Sequence, residues 1–163
     1  MRHIISVLLE NESGALSRVV GLFSARGYNI DSLNVSITDD VTLSRLTLTT
    51  QGDSSVIEKI LKQLNKLVEV VKVIDLNESK FTEAELSLIK IRVVAKDRRD
   101  FLDLSEIYRA KVVDISERTL TVRLTGSSEK IDSFIELVGK GNILEVARSG
   151  AVGLGSGERT LKI

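Results

Sequence analysis

Ile5, Val7 and Leu9 alternate with Ile4, Ser6 and Leu8, which predicts a half-buried strand ending before Glu10. Asn11-Glu12-Ser13-Gly14 breaks the alternation with turn formers. From Ala15 the period changes: Leu16, Val19, Val20 and Phe23 share one face of a helix, with Ser13 placed to cap it and Gly27 to end it. Leu33, Val35 and Ile37 restore the two-residue period, Asp39-Asp40 makes a turn, and Leu43 to Thr50 makes a hairpin partner. Asp53 or Ser54 caps a second helix, in which Val56, Ile57, Ile60, Leu61 and Leu64 form a stripe. Leu67 to Leu76, rich in Val and Ile, is a fourth strand.

Asn77 to Glu83 is polar and unpatterned and reads as a linker. The same order then returns. Leu86 to Val94 is a strand, and Asp97 to Tyr108 is a helix with Phe101, Leu104 and Tyr108 at helical spacing. Lys111 to Ile115 and Leu120 to Leu124 flank the turn Ser116-Glu117-Arg118. Ser127 or Ser128 caps a helix bearing Ile131, Phe134, Ile135 and Val138, and Ile143 to Ala147 closes the set. The expected fold is α+β, two tandem ferredoxin-like βαββαβ domains over residues 1–76 and 85–163, with 77–84 between them. Gly150, Gly153, Gly155 and Gly157 invite comparison with a phosphate-cradling loop. That motif needs a helix directly after the glycines, so a flexible tail is expected instead.

Composition narrows the chemistry. The 163 residues carry 23 Lys+Arg and 23 Asp+Glu, so no global field draws in nucleic acid or anionic lipid. With no Cys, thiolate metal sites, disulfides and thiol nucleophiles are excluded. The one His, His3, lies on the first strand and reads as a strand-face residue, so no metal site is expected. Asp39 and Asp40 are adjacent and their side chains diverge, which suits a turn rather than shared proton transfer. Arg98-Arg99 reads as a solvated helix start. No apolar run approaches membrane-spanning length, and Met1-Arg2-His3 leads straight into a strand, so a cytoplasmic protein is expected. No catalytic residue is nominated, because no activated nucleophile, metal cluster or cofactor cradle is spaced for one.

What stands out is the first strand-turn-helix. Amides at a helix start have no partner inside the helix, and with the dipole they favour a small anion such as a carboxylate. Gly14 has no side chain to block a ligand's approach to that backbone. Asn11 and Asn29 each offer a donor and an acceptor, suited to an ammonium group and a carboxylate on one ligand. For an isolated strand-turn-helix, plain capping and turning by Ser13 and Asn11 would be the better reading.

The stretch SVLLENESGALSRVVGLFSARGYNIDSLNV, then TLSRLTL and EVARSGAVGL, resembles the small regulatory subunits of acetolactate synthase (acetohydroxyacid synthase), over nearly the whole chain. The resemblance implies an N-terminal ACT domain, the ferredoxin-like module that binds amino acids. It implies a chain without activity of its own that binds and activates the catalytic subunit and transmits feedback inhibition by valine or another branched-chain amino acid. It places thiamine diphosphate, a divalent metal and FAD in the catalytic subunit and no cofactor in this chain. It puts the effector between paired ACT domains of a homodimer, on Asn11, Gly14, Ala15 and Leu16 with Asn29 and Ile30 facing. Leu16 and Ile30 then supply apolar contacts to an isopropyl group. Two other readings compete: an amino-acid sensor serving transcription or another enzyme, for which both βαββαβ halves leave no DNA-binding unit, and a self-sufficient small enzyme.

Overall fold

The computed structural model describes residues 1–162. Contacts divide the chain into two units, Met1–Glu83 with the segment from Gly150 onward, and Ala84–Ser149. The first unit contains β1 (Arg2–Glu10), α1 (Ala15–Ala25), β2 (Ser32–Ile37), β3 (Leu43–Gln51), α2 (Ser54–Leu64) and β4 (Val70–Asp75), followed by a 3₁₀ turn at Leu76–Glu78. Its antiparallel sheet has the order β2-β3-β1-β4. Both helices cover one face, where Ile5, Val7, Leu9, Leu46 and Leu48 meet Val19, Phe23, Ile57, Ile60 and Leu64. Only part of the expected α1 stripe is buried: Ala15, Val19, Leu22 and Phe23 face the core, while Leu16 and Val20 are 39% and 37% exposed.

The second unit is built on β5 (Phe81–Arg92), α3 (Arg98–Ile107), β6 (Lys111–Ile115), β7 (Thr119–Gly126), α4 (Ser128–Val138) and β8 (Ile143–Arg148). The antiparallel order β6-β7-β5-β8 repeats the first topology, so the expected α+β pair of ferredoxin-like sheets is present. Ile89, Ile91, Leu120, Val122 and Leu124 pack against Phe101, Ile131, Phe134 and Val138. Ser127 caps α4 by accepting the Lys130 N–H. Arg148 grips buried Glu85 through two nitrogens, at 2.7 and 2.9 Å, and reaches Asp132 at 2.6 Å. These bonds hold the Arg148 guanidinium above its ordinary pKa, the Glu85 hydrogen bond most of all.

Three expectations need correction. The polar run 77–84, expected as a linker from its lack of pattern, contains the boundary between the units but is ordered structure. Asp75 caps the 3₁₀ turn through the Asn77 N–H, Asn77 Oδ1 accepts the Ile4 N–H, and Glu83, already inside β5, pairs with Arg2. Its polar side chains tie it to β1, so it lacks periodicity without lacking structure.

The glycine-rich stretch is not a flexible tail of the second domain. It forms β9 (Val152–Gly155), pairs with β5, and belongs to the first unit. Glycine is required at its close approach: a Cβ on Gly153 would lie 2.7 Å from Leu76 Cδ1. Arg45 donates to the Gly153 carbonyl (2.7 Å) and the Ser6 hydroxyl (3.2 Å), and Lys72 donates to the carbonyls of Thr160 and Lys162. Arg159 reaches the Asp75 carbonyl, Glu78 and Ser79.

The third correction concerns β1, which is buried on both faces. Ile4 and Leu8, pointing away from the helices, are 0% and 5% exposed. The returning segment, with Ala151 and Leu161 buried, supplies cover that β1's own alternation did not disclose.

Candidate functional site

The turn from β1 into α1 begins at Asn11, whose N–H donates to the Thr42 carbonyl at 2.7 Å. Its side-chain amide donates to the Val41 carbonyl at 2.9 Å, and its Oδ1 accepts from the Ser44 hydroxyl at 3.1 Å. Asn11 therefore braces the turn against the β2–β3 hairpin, keeping one N–H and one lone pair unused.

Gly14 occupies the N-cap at φ 93° and ψ −16°, in the left-handed region, and no side chain caps the helix. Ser13, expected in that role, stands one residue too early because Gly14 reverses the chain. The Ala15 N–H finds the Glu12 carbonyl at 3.3 Å, and the Arg18 N–H finds Gly14's at 3.0 Å. Among the described residues the amides of Leu16 and Ser17 have no acceptor, and the first turn carries no acidic residue. The start of α1 is thus an exposed positive dipole end that the chain itself leaves unfilled. A Cβ at Gly14 would meet nothing within 4 Å, so the space beyond is open.

The other candidate residues divide by burial. Ala15 is 2% exposed and packs in the core, so its methyl is turned away from any ligand. Leu16 points outward. Ile30 packs half-buried against the core. Asn29 is exposed, donates to Asp31 at 2.7 Å, and its carbonyl accepts from Thr50 at 2.6 Å.

Within one chain these two groups do not converge. Thr50, the partner of Asn29, pairs with His3 at the start of β1, whereas Asn11 follows the end of β1. The strand between those levels spans roughly 25 Å. The loop 11–16 and the segment 29–30 therefore lie at opposite ends of one sheet. Sequence spacing concealed this, because it says nothing of which end of a sheet a turn occupies.

Strand β2 lies at the edge of that sheet. It has one partner, β3, and exposes Val35 (38%) and Ile37 (57%). The matching turn of the second unit is built differently. There the α3 N-cap is Asp97 rather than glycine, and Arg98 braces the turn to the carbonyls of Ser116 and Glu117.

His3 is held by buried Asp75, with 2.8 Å from Nδ1 to the carboxylate. Among the described residues no three His, Cys, Asp or Glu side chains gather to hold a metal ion, and no helix is long and apolar enough to cross a membrane.

The ferredoxin-like sheet that carries this glycine turn is an ACT domain: residues 5–72 match the family model described as "AHAS small subunit-like ACT domain". Residues 84–157 match the model described as "Small subunit of acetolactate synthase". The chain is 50% identical over 163 residues to the acetolactate synthase isozyme 3 small subunit of Salmonella typhimurium, covering 99% of this chain and 100% of that one. It is 42% identical over 159 residues to a probable acetolactate synthase small subunit of Archaeoglobus fulgidus, covering 98% and 99%. The crystal structure of the acetolactate synthase small subunit from Thermotoga maritima superposes with a TM-score of 0.87 at 37% identity, over 98% of this chain and 99% of that one. The chain belongs to the family of acetolactate synthase small subunits, the regulatory subunits of that enzyme.

Proposed function

We propose that this chain binds and activates the catalytic subunit of acetolactate synthase and confers feedback inhibition by valine or another branched-chain amino acid. It performs no chemistry itself: thiamine diphosphate, divalent metal and FAD reside in the catalytic subunit. The assembly works in the cytoplasm.

The observation that carries the effector reading is the uncapped start of α1 at Gly14, exposed and open to a carboxylate. The separation of the two candidate groups supports a two-chain site. When β2 pairs with β2 of a second copy about a two-fold axis, the strands run antiparallel. The Ser32 end of one then lies beside the Ile37 end of the other, which also covers the exposed Val35 and Ile37. Asn29 and Ile30 of one copy approach the 11–16 loop of the other. The loop's amides receive the carboxylate, Asn29 the ammonium group, and Leu16 and Ile30 the branched side chain. A missing methylene there costs only about 1–3 kcal/mol, so discrimination among branched-chain acids is modest.

Regulation follows by linkage: valine binds one arrangement of the paired domains more tightly and so biases the attached catalytic subunit. The test is a pull-down with the catalytic subunit, then acetolactate formation with and without valine, beside calorimetry on the isolated chain. Binding, activation and valine-dependent inhibition are expected. Failure of the dimer to take up valine, leucine or isoleucine would end the sensor reading.

A further inference from the structure

Asn29 and Asp31 stand two residues apart where the chain enters β2, and their side chains meet: Asn29 Nδ2 donates to Asp31 Oδ1 at 2.7 Å. Both backbones are pinned to the end of β3. The Thr50 hydroxyl donates to the Asn29 carbonyl at 2.6 Å, and the Asp31 N–H donates to the Thr49 carbonyl at 2.8 Å. Thr49 and Thr50 are buried, so the pair stands on the packed part of the sheet. A carboxylate only accepts, so the contact fixes how the Asn29 amide is turned: its NH₂ faces Asp31 and its Oδ1 faces away. Asp31 is exposed. Among the described residues no other donor reaches its carboxylate, and no Lys, Arg or His lies within ion-pair distance of it. The pair therefore presents two acceptors, Asn29 Oδ1 and Asp31 Oδ2, with one negative charge between them.

That is the complement of the α1 start, which offers bare N–H groups and a positive dipole end. An ammonium group brings N–H donors and a positive charge; a carboxylate or a carbonyl oxygen brings neither. We propose that Asp31 is the specificity-determining acid of the effector site: its carboxylate, aimed by Asn29, takes the ligand's ammonium group and so admits 2-amino acids while rejecting 2-oxo acids of the same carbon skeleton. The inference rests on the effector reading and adds a charge selection to it. Leu16 and Ile30 cannot make this distinction, because both kinds of acid carry the same branched side chain. A 2-oxo acid sets its carbonyl oxygen against two acceptors, and polar groups left unpaired in this way discriminate far better than a missing methylene. Acetolactate, the product for which the enzyme is named, is likewise a carboxylate without an ammonium group. A site that read only the acid end would answer to it. Glu12, on the loop itself, is also exposed, but its side chain makes no hydrogen bond or ion pair among the described residues. Ordering that longer side chain costs entropy on binding, whereas Asp31 is already held.

The test is calorimetry on the full-length chain with two ligands, valine and 3-methyl-2-oxobutanoate. The second keeps the carboxylate and the isopropyl group and replaces the amino group by an oxo group. The wild-type chain is expected to bind valine at least about tenfold more tightly than the oxo acid. Asp31→Asn keeps the size of the side chain and removes its charge. It should weaken valine at least about tenfold and leave the oxo acid no weaker, so that the preference narrows. An unchanged melting temperature without ligand shows that the variant keeps its fold, as expected for an exposed side chain whose main-chain bond to Thr49 is retained. Equal affinity of the wild-type chain for the two ligands overturns the assignment. So does valine affinity unchanged in Asp31→Asn, or an equal loss of both ligands there, which would make Asp31 a support of the loop rather than a reader of charge. A narrowed preference in Glu12→Gln but not in Asp31→Asn overturns it in favour of the loop. Absence of valine uptake by the wild-type chain, seen before any substitution, overturns the effector reading itself.

Discussion

Asn11 Nδ2 donates to the Val41 carbonyl at 2.9 Å, fastening the turn before α1 to the tip of the β2–β3 hairpin. The same side chain accepts from Ser44, so one residue fixes the loop from two sides. Asn11→Ala removes both bonds and leaves the hydroxyl of buried Ser44 without that acceptor. A loss of about 1 kcal/mol is expected, read as a lower urea midpoint. Because the bare amides are positioned by this brace, the valine-dependent rise in melting temperature should shrink with it. A variant that unfolds earlier but keeps the full valine shift would separate the brace from the site.

Gly14 separates backbone strain from ligand exclusion. At φ 93° any Cβ is strained, yet nothing crowds it. Gly14→Ala should cost about 1 kcal/mol, from the left-handed conformation alone. Asp tolerates that conformation better and favours a helix start, so Gly14→Asp should be at least as stable as Gly14→Ala. Its carboxylate nevertheless occupies the ligand's anion position, and calorimetry should show valine uptake abolished. Unchanged valine affinity in Gly14→Asp would reject the site.

Two of the serines expected as helix caps, Ser127 and Ser13, are predicted to behave differently. Ser127 Oγ accepts the Lys130 N–H at 3.3 Å and caps α4, so Ser127→Ala should cost about 1 kcal/mol in chemical denaturation. Ser13 caps nothing, because Gly14 holds the N-cap of α1. Ser13→Ala should leave the denaturation curve in place, and a comparable loss in both variants would contradict this assignment.

The contrast between those serines shows where sequence pattern is informative. Local periods marked every α-helix and eight of the nine strands, all but β9, because each of those elements' buried stripe is written at its own spacing. The end of α1 was legible in Gly27, which adopts φ 69°; the corresponding end of α3 was not, since Arg109 takes φ 55° with no glycine to announce it. What pattern could not supply was long-range cover. Nothing near Gly153 indicates that it must fit against Leu76, far earlier in the chain. Ile4 and Leu8, apolar on the supposed open face of β1, were the available hint. For the site, the glycine turn was legible, and the assignment of Asn11 to a ligand was incomplete because its hairpin partners are distant in sequence.

Cover by the returning segment predicts that the last residues stabilise the first unit. Leu161 is 4% exposed, and Leu161→Ala should cost at least about 2 kcal/mol. Gly153→Ala drives a methyl to within 2.7 Å of Leu76 Cδ1 and should cost about 1–3 kcal/mol through overpacking. Hydrogen exchange should locate both losses in β1 and β4 rather than in β7. A chain shortened after Ser149 that kept full protection of β1 would show the segment to be dispensable.

Acid should weaken the protein partly through Asp53. Its carboxylate accepts the Val56 N–H at 2.9 Å and the Ser55 hydroxyl at 2.9 Å, capping α2. The Val56 bond is the largest cause holding its pKa below the ordinary carboxyl value, with the Ser55 bond next. A carboxyl depressed on folding binds its proton more readily in the unfolded chain. Its contribution is therefore complete above the unfolded pKa, about 3.9, and fades as pH falls through the lower folded value. Asp53→Asn retains an equivalent cap without the titration. Urea midpoints of the two proteins should nearly coincide at pH 7. Below pH 4 the wild-type midpoint should fall more steeply, although Asp39, Asp40 and Glu58, also depressed, keep some slope in both. Parallel midpoint curves from pH 7 to pH 2.5 would mean that the Asp53 charge adds nothing beyond what a neutral amide supplies.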